Sequence, residues 1–457
     1  MQILSAILLT VLAGGPPASG DYARGTVAPS EPALPAPTSA QRKWQDMAFG
    51  MFFHWAPNVY QGGESDNLST PREKINPDRF NADRWVDVAK AAHARYIIFV
   101  AKHVGGYCCW QTKTTDYSLT TSPWKAGKGD MVGELAKACA ARGIRFGVYL
   151  SPADGMHGVG TGGNAGSAEK QERYNDLYRR QLSEILGHYG PIVEIWFDSG
   201  NVVPVNDLLD RLSPGVVTFQ GRRGGGSRWI GNEEGFAPYP CWNTIAWKPG
   251  DVPMWGGGSP NGNLWCPAEC DVSIIRPRWF WSRGCEGAIL SRDALLEVYY
   301  LSIGRGANLL LNVTPDDHGE VPAVQMKRLT EFGAEIQARF AKPLQTTNGQ
   351  GDNIAMDLRG LQTIDHVLLR EDTRGGERVR RFSVEGRRSD GKWVTLVRGT
   401  QIGNRQFIPL SPVAVTAVRL MVKEAVAPVM IREFSVFHVA RPAPPASTAT
   451  GADRPST

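Results

Sequence analysis

The sequence predicts an α/β chain built as a TIM-like (β/α)8 barrel followed by a C-terminal antiparallel β-sandwich. Three observations carry this expectation. From about residue 41 to 343, near-continuous apolar runs alternate with amphipathic helical segments, the pattern of a parallel sheet covered on its faces. The length and repetition of that pattern, with no GxGxxG after the first run, favour a closed barrel over an open dinucleotide-binding sheet. Beyond about residue 345 helical spacing stops, and short strands separated by polar turns take over.

The elements follow in order. Residues 1–20, "MQILSAILLTVLAGGPPASG", hold an apolar stretch from Ile3 to Ala13 that is too short to span a bilayer and runs into small residues and prolines. A secretory signal peptide is the expectation, although no Lys or Arg precedes Arg24; a merely apolar terminus is the alternative. Residues 21–40 are rich in Pro, Ala and Ser and read as a flexible linker. "MAFGMFFHW" (47–55) reads as a strand ending in His54. Asn81 can cap a helix that lines up Trp85, Val88, Ala89 and Ala92. "YIIFVAKH" (96–103) is the next strand, and Asp130 caps a helix with Val132, Leu135 and Cys139 on one side, closed by Gly143. "IRFGVYLSP" (144–152) precedes a long helix through Tyr174, Leu177, Leu182, Ile185 and Leu186. "IVEIWFDS" is the fourth strand and "GVVTFQG" (215–221) the fifth. Residues 222–290 are Gly- and Trp-rich and resist parsing, whereas "ALLEVYYLSI" reads as a helix and "ANLLLNVTP" (307–315) as a last buried strand. The pattern changes near Pro343; the sandwich is expected over 344–440, with strands in "IDHVLLRED", "RVRRFSVEGRR", "KWVTLVRG", "AVTAVRLMV" and "REFSVFHV". Residues 441–457 read as a disordered tail.

Composition bounds the function. With 457 residues, 42% hydrophobic and 21% charged, the chain falls among soluble globular proteins of two domains. Fifty Lys+Arg against 45 Asp+Glu leave +5, too mild for a nucleic-acid partner, and no later segment reads as transmembrane. Fourteen Trp and 51 Gly hint at sugar binding, since indole faces stack on apolar sugar faces. The seven cysteines include "CPAEC" (266–270), which lacks a second pair or a nearby His, so no metal is expected. Buried thiols are favoured, with one disulfide after export as the alternative.

In a parallel barrel the active site lies at the C-terminal ends of the strands. Those ends carry His54, Lys102 and His103, Tyr149, and Asp198. Singly, a His is usually a bonded core residue and a strand-end Asp a helix cap; together they indicate a converging site. Neither HxH, HExxH nor GxSxG occurs. A carboxylate nucleophile with a second carboxylic acid is the remaining common arrangement, that of retaining glycosidases. Asp198 can supply the nucleophile, and Glu233, Glu234 and Glu269 are candidates for the acid.

The segments "FGMFFHW", "AKHVGGYCCWQTKTTDYS", "FGVYLSPAD", "IVEIWFDSG", "WIGNEEG", "CPAECDVSIIRPRWFW" and "GANLLLNVTPDDHG", in that order, resemble the α-L-fucosidases of glycoside hydrolase family 29. "RVRRFSVEG" through "REFSVFH" resembles the β-sandwich that follows the barrel there, so the likeness spans about residues 42–438. It implies a retaining mechanism without a cofactor, with Asp198 as nucleophile. In the branch cleaving α-1,3/1,4-linked fucose it also implies Glu233 as acid/base, with Glu269 the runner-up. The pair should sit about 5 Å apart. Nearby His or Arg should lower the Asp198 pKa, whereas partial burial and the adjacent acid should raise that of Glu233. His54, His103 and Tyr149 match positions that bond fucose hydroxyls, and Trp196 is suited to wall the sugar's methyl group, with ordinary barrel packing as its alternative. Glu64, Trp110, Asp154, His157 and Arg276 are weaker carry-overs.

Two departures stand out. The family usually shows "KHHDGF", whereas this chain has "KHVGGY", with Val104 in place of the second His and Gly105 in place of the Asp. Ala153 stands where the branch often has Trp. Loss of a buried partner for a hydroxyl alters substrate choice strongly. The expected function is therefore an exo-α-L-fucosidase, secreted or periplasmic, acting on fucosylated oligosaccharides or glycoconjugates. Its alternatives are a glycosidase for a related sugar such as α-L-galactose, and a catalytically silent sugar-binding protein.

Overall fold

The computed structural model describes residues 33–252 and 255–441. The expected signal peptide, residues 21–32 of the expected linker and residues 442–457 of the expected tail lie outside the described residues.

Eight parallel strands form the first sheet: β1 (Phe49–Phe53), β2 (Tyr96–Lys102), β3 (Arg145–Leu150), β4 (Ile192–Trp196), β5 (Val217–Phe219), β6 (Arg228–Trp229), and, after the small hairpin β7 (Thr244–Ile245) and β8 (Leu264–Trp265), β9 (Ala268–Ser273) and β10 (Asn308–Val313). Their order is β5-β4-β3-β2-β1-β10-β9-β6, and a parallel bridge from Phe219 to Ser227 nearly closes the ring. The segment that resisted parsing thus supplies two barrel strands. One has only two residues, and the other breaks the apolar pattern, as shown below.

Helices cover the outside. Asn81 and Asp130 cap α2 (Ala82–Ala91) and α3 (Met131–Ala141) by accepting the N–H of Arg84 and Gly133. α4 (Ala168–His188), α5 (Asn206–Leu212), α6 (Arg292–Leu301) and α7 (Ala323–Phe340) follow. The expected linker is ordered at its end: Thr38 and Gln41 form a reciprocal capping box that starts α1 (Ser39–Met47). Its Trp44 donates its indole N–H to Glu194 inside the barrel at 2.7 Å.

Side chains alternate across each strand. One set packs against the helices, while Phe52, Tyr96, Ile98, Val100, Tyr149, Trp196, Phe219 and Leu310 fill the lumen. Gly50 is needed here, because a Cβ on it would lie 2.3 Å from the Tyr96 ring. All seven cysteines are buried free thiols, so no disulfide forms.

The C-terminal β-sandwich is a six-stranded antiparallel sheet: β11 (Gln345–Gln350), β12 (Asn353–Glu371), β13 (Val379–Arg387), β14 (Trp393–Gly399), β15 (Gln406–Ala425) and β16 (Met430–Phe437). Register shifts punctuate the two long strands β12 and β15, and a separate core including Ile364, Val384, Leu420 and Phe434 lies within. Polar and aromatic contacts tie it to the barrel: Glu377 accepts from Asn243, and Tyr300 bonds His366 at 2.8 Å beside Phe407 and Phe437.

Candidate active site

At the C-terminal ends of the strands a cavity of about 550 Å³ opens. His54, His103, Tyr149, Trp196 and Asp198 line it from β1 to β4; Glu64 and Glu233 reach it from loops. Phe52, Trp196 and Phe219 make an aromatic floor, with Trp196 stacked on Phe219 at 3.6 Å between centroids.

The backbone turns sharply after the acid of β4. Ser199 and Gly200 both take positive φ, 59° and 78°, so the chain leaves the strand in a left-handed bend directly behind Asp198. Asp198 Oδ2 accepts the Tyr149 hydroxyl at 3.0 Å, and Oδ1 accepts the Ser199 hydroxyl at 3.4 Å. Burial pushes the Asp198 pKa up from its ordinary value; the two hydroxyls oppose this, and the charge of Glu233 adds to it. The expectation of a carboxyl lowered by His or Arg is therefore corrected. The imidazoles in this pocket are neutral: burial takes His54 well below its usual value and His103 down to about 4.

The tautomer of His54 follows from its partner. Asn312 donates its amide to the Trp279 carbonyl at 2.9 Å and to Ser273 at 3.0 Å. Its Oδ1, 2.8 Å from His54 Nδ1, is then the acceptor, so Nδ1 carries the proton and Nε2 is left as the acceptor. His103 Nδ1 is buried without a hydrogen-bond partner among the described residues.

Of the two adjacent acids, Glu233 lines the cavity and Glu234 does not. Arg276 bridges them, at 3.0 Å to Glu233 and 2.6 Å to Glu234. The Glu233 side chain sits at the mouth of the cavity and is 45% exposed. Glu64 accepts the Trp279 N–H at 2.7 Å and pairs with Arg278 at 3.1 Å.

Other candidates fall outside the cavity. Glu269, the alternative acid, is wholly buried beneath it and accepts from Tyr96 at 2.7 Å and from the Trp196 indole at 2.8 Å. It shares a hydrogen bond with the equally buried Glu194, and burial raises the pKa of both. Its part is to hold the Trp196 wall from below. Lys102 points away from the lumen, into a buried cluster with Asp154 (3.1 Å), Tyr174 and Gln181. Asp154 bonds His157 at 2.9 Å in turn, so these two brace the loop behind His103. Trp110 packs in the outer core and donates to Glu184 at 2.9 Å.

The "KHVGGY" departure has a local explanation. A Cβ on Gly105 would lie 2.5 Å from the Cβ of Asp66, so the Asp66 side chain fills the place of any side chain at 105. Asp66 also accepts from Tyr117, from Gln61 at 2.7 Å and from the Leu68 N–H at 2.9 Å, and so fixes the loop that carries Glu64.

Sequence reasoning missed Asp271, Trp229, Trp255, Trp279 and Gln220, which also line the cavity. The alternation of polar residues in "AECDVS" is the signal that could have found Asp271.

Known proteins share the sequence and fold of this chain. Residues 67–339 match the family model described as alpha-L-fucosidase. Alpha-L-fucosidase 1 of Arabidopsis thaliana is 33% identical over 86% of each chain. The crystal structure of a putative alpha-L-fucosidase from Bacteroides thetaiotaomicron superposes with a TM-score of 0.83 at 30% identity, covering 89% of this chain and 99% of that one. A Ruminococcus gnavus GH29 fucosidase solved in complex with fucose shares the fold at 24% identity, with a TM-score of 0.75, covering 89% of this chain and 96% of that one.

Proposed function

The chain belongs to the α-L-fucosidase family, glycoside hydrolase family 29, and from that membership we propose a retaining exo-hydrolase that releases α-L-fucose from oligosaccharides or glycoconjugates by double displacement. The observation that carries the mechanism is the convergence of Asp198, from the end of β4, and Glu233, from the loop after β6, on one cavity with neutral His54 and His103. In the first step an Asp198 oxygen bonds the anomeric carbon while the C–O bond to the leaving group breaks and Glu233 gives its proton to the departing oxygen. In the second, Glu233 takes a proton from water, the water oxygen bonds the anomeric carbon, and Asp198 leaves as carboxylate. The Tyr149 hydroxyl holds Asp198 in line and favours its anion. The imidazoles bond ring hydroxyls without charge, and Trp196 with Phe219 receives the sugar's methyl group.

The test is turnover of an aryl α-L-fucoside. Asp198→Ala lowers kcat by several orders of magnitude, and azide restores turnover by entering the vacated face and giving the β-fucosyl azide. A folded wild-type protein that turns over no fucoside sinks the reading. The apolar N-terminus extends the proposal to export, with the enzyme periplasmic or secreted, checked by sequencing the mature N-terminus.

A further inference from the structure

β9 turns three polar side chains into the barrel: Glu269, Asp271 and Ser273, at alternate positions. The lowest, Glu269, is spent on Tyr96 and the Trp196 indole, and the highest, Ser273, bonds the Asn312 that fixes His54. The middle one lines the cavity itself, between those two layers. Asp271 is 5% exposed, and no Lys, Arg or His pairs with it among the described residues. Its side-chain hydrogen-bond partner among the described residues is neutral: the Trp229 indole donates to Oδ1 at 2.6 Å. Its charged neighbours, Glu233 and Glu269, are themselves acids.

A carboxyl in such a place keeps its proton, because burial and like charges both disfavour the anion. Its pKa is accordingly pushed well above the carboxylate range, with burial the larger cause. A role confined to holding Trp229 needs only an acceptor, which an amide supplies without a buried ionisable group. A buried carboxylic acid on the wall of a sugar pocket offers something the neutral imidazoles there do not: a strong O–H donor beside an acceptor.

We propose that Asp271 is a substrate-binding residue of this pocket that, as a neutral carboxylic acid, donates a hydrogen bond to a ring hydroxyl of the bound sugar. The Trp229 N–H orients the donor by occupying Oδ1. The inference rests on the reading of the cavity as an α-L-fucoside site. It adds a contact from β9, beside those of His54 and His103 from β1 and β2.

The experiment compares the full-length wild type with Asp271→Asn, Asp271→Leu and Asp271→Ala. The readouts are kcat and KM on an aryl α-L-fucoside, Kd for L-fucose by calorimetry, and Tm. Asn keeps one donor and one acceptor, so its Kd and KM stay within about 5-fold of wild type, whereas Leu and Ala lose the contact and weaken both by about 10- to 100-fold, more than they change kcat. Ala stands in if Leu does not fold. L-fucose affinity unchanged in Leu or Ala overturns the proposal while a fucoside-hydrolysing wild type keeps the pocket reading intact. Equal losses in Asn and Ala that track their loss of Tm also overturn it, since they mark a purely structural acid. A wild type that neither binds L-fucose nor turns over the fucoside refutes the pocket reading and the proposal together.

Discussion

Replacing Tyr149 by Phe removes one oxygen and tests how Asp198 is kept ionised. The hydroxyl donates to Asp198 Oδ2 at 3.0 Å, and the other hydroxyl on the carboxyl, from Ser199, is longer at 3.4 Å. Burial already raises the Asp198 pKa, so losing the better donor raises it further. A hydrogen bond to a charged group contributes about 1.5–3 kcal/mol. At about 1.4 kcal/mol per pH unit, that corresponds to an upward shift of about 1–2 units. The acid limb of kcat/KM reports the free enzyme's essential base, which is Asp198 in the proposed mechanism. Measured on an aryl α-L-fucoside across pH, Tyr149→Phe therefore moves that limb to higher pH, and Ser199→Ala moves it less. Tyr149 does not ionise in this range, because burial and the Asp198 charge hold its own pKa well above the usual phenol value. A Phe variant whose acid limb stays at the wild-type position, with only a uniform loss of rate, refutes the assignment of Asp198 as the titrating base.

Two other perturbations probe the surroundings. Glu194 and Glu269 have folded pKa values raised above the unfolded ones, so the native state holds the extra proton and stability falls as pH rises through and above the ordinary carboxylate range. Glu269→Gln flattens that fall, measured as Tm against pH; an unchanged slope refutes the shared-proton account. Gly105→Asp drives a carboxyl into Asp66 and raises KM by displacing the Glu64 loop, while adding Asp66→Gly restores much of the loss. A double variant no better than Gly105→Asp alone shows that the two positions do not share one space.

The strand ends that carry His54, His103, Tyr149 and Asp198 were readable in sequence because each closes an apolar run, and a parallel barrel turns such ends to one rim. Asp271 was not readable for the opposite reason. "AECDVS" alternates polar and apolar residues, which along a chain looks like a strand with one face in water. In the barrel that polar face is turned inward, where Glu269, Asp271 and Ser273 hold the wall, line the pocket and fix Asn312. β6 was missed because two residues carry no period.

The order of the elements, the caps at Asn81 and Asp130, the change of architecture near Pro343 and the nucleophile candidate can all be read from the chain alone. These depend on local periodicity and on ordered motifs, which survive in one dimension. Which of several similar acids faces the cavity depends on the fold. Glu233 and Glu234 are neighbours in the chain, yet only the first enters the cavity; Glu269 and Asp271 share a strand face, yet only the second reaches it. Side-chain direction on the loop separates the first pair; depth along the barrel axis, set by strand register against the neighbouring strands, separates the second. Gly105 makes the same point: its missing side chain reads as a lost contact until Asp66, 39 residues earlier in the numbering, is found in its place.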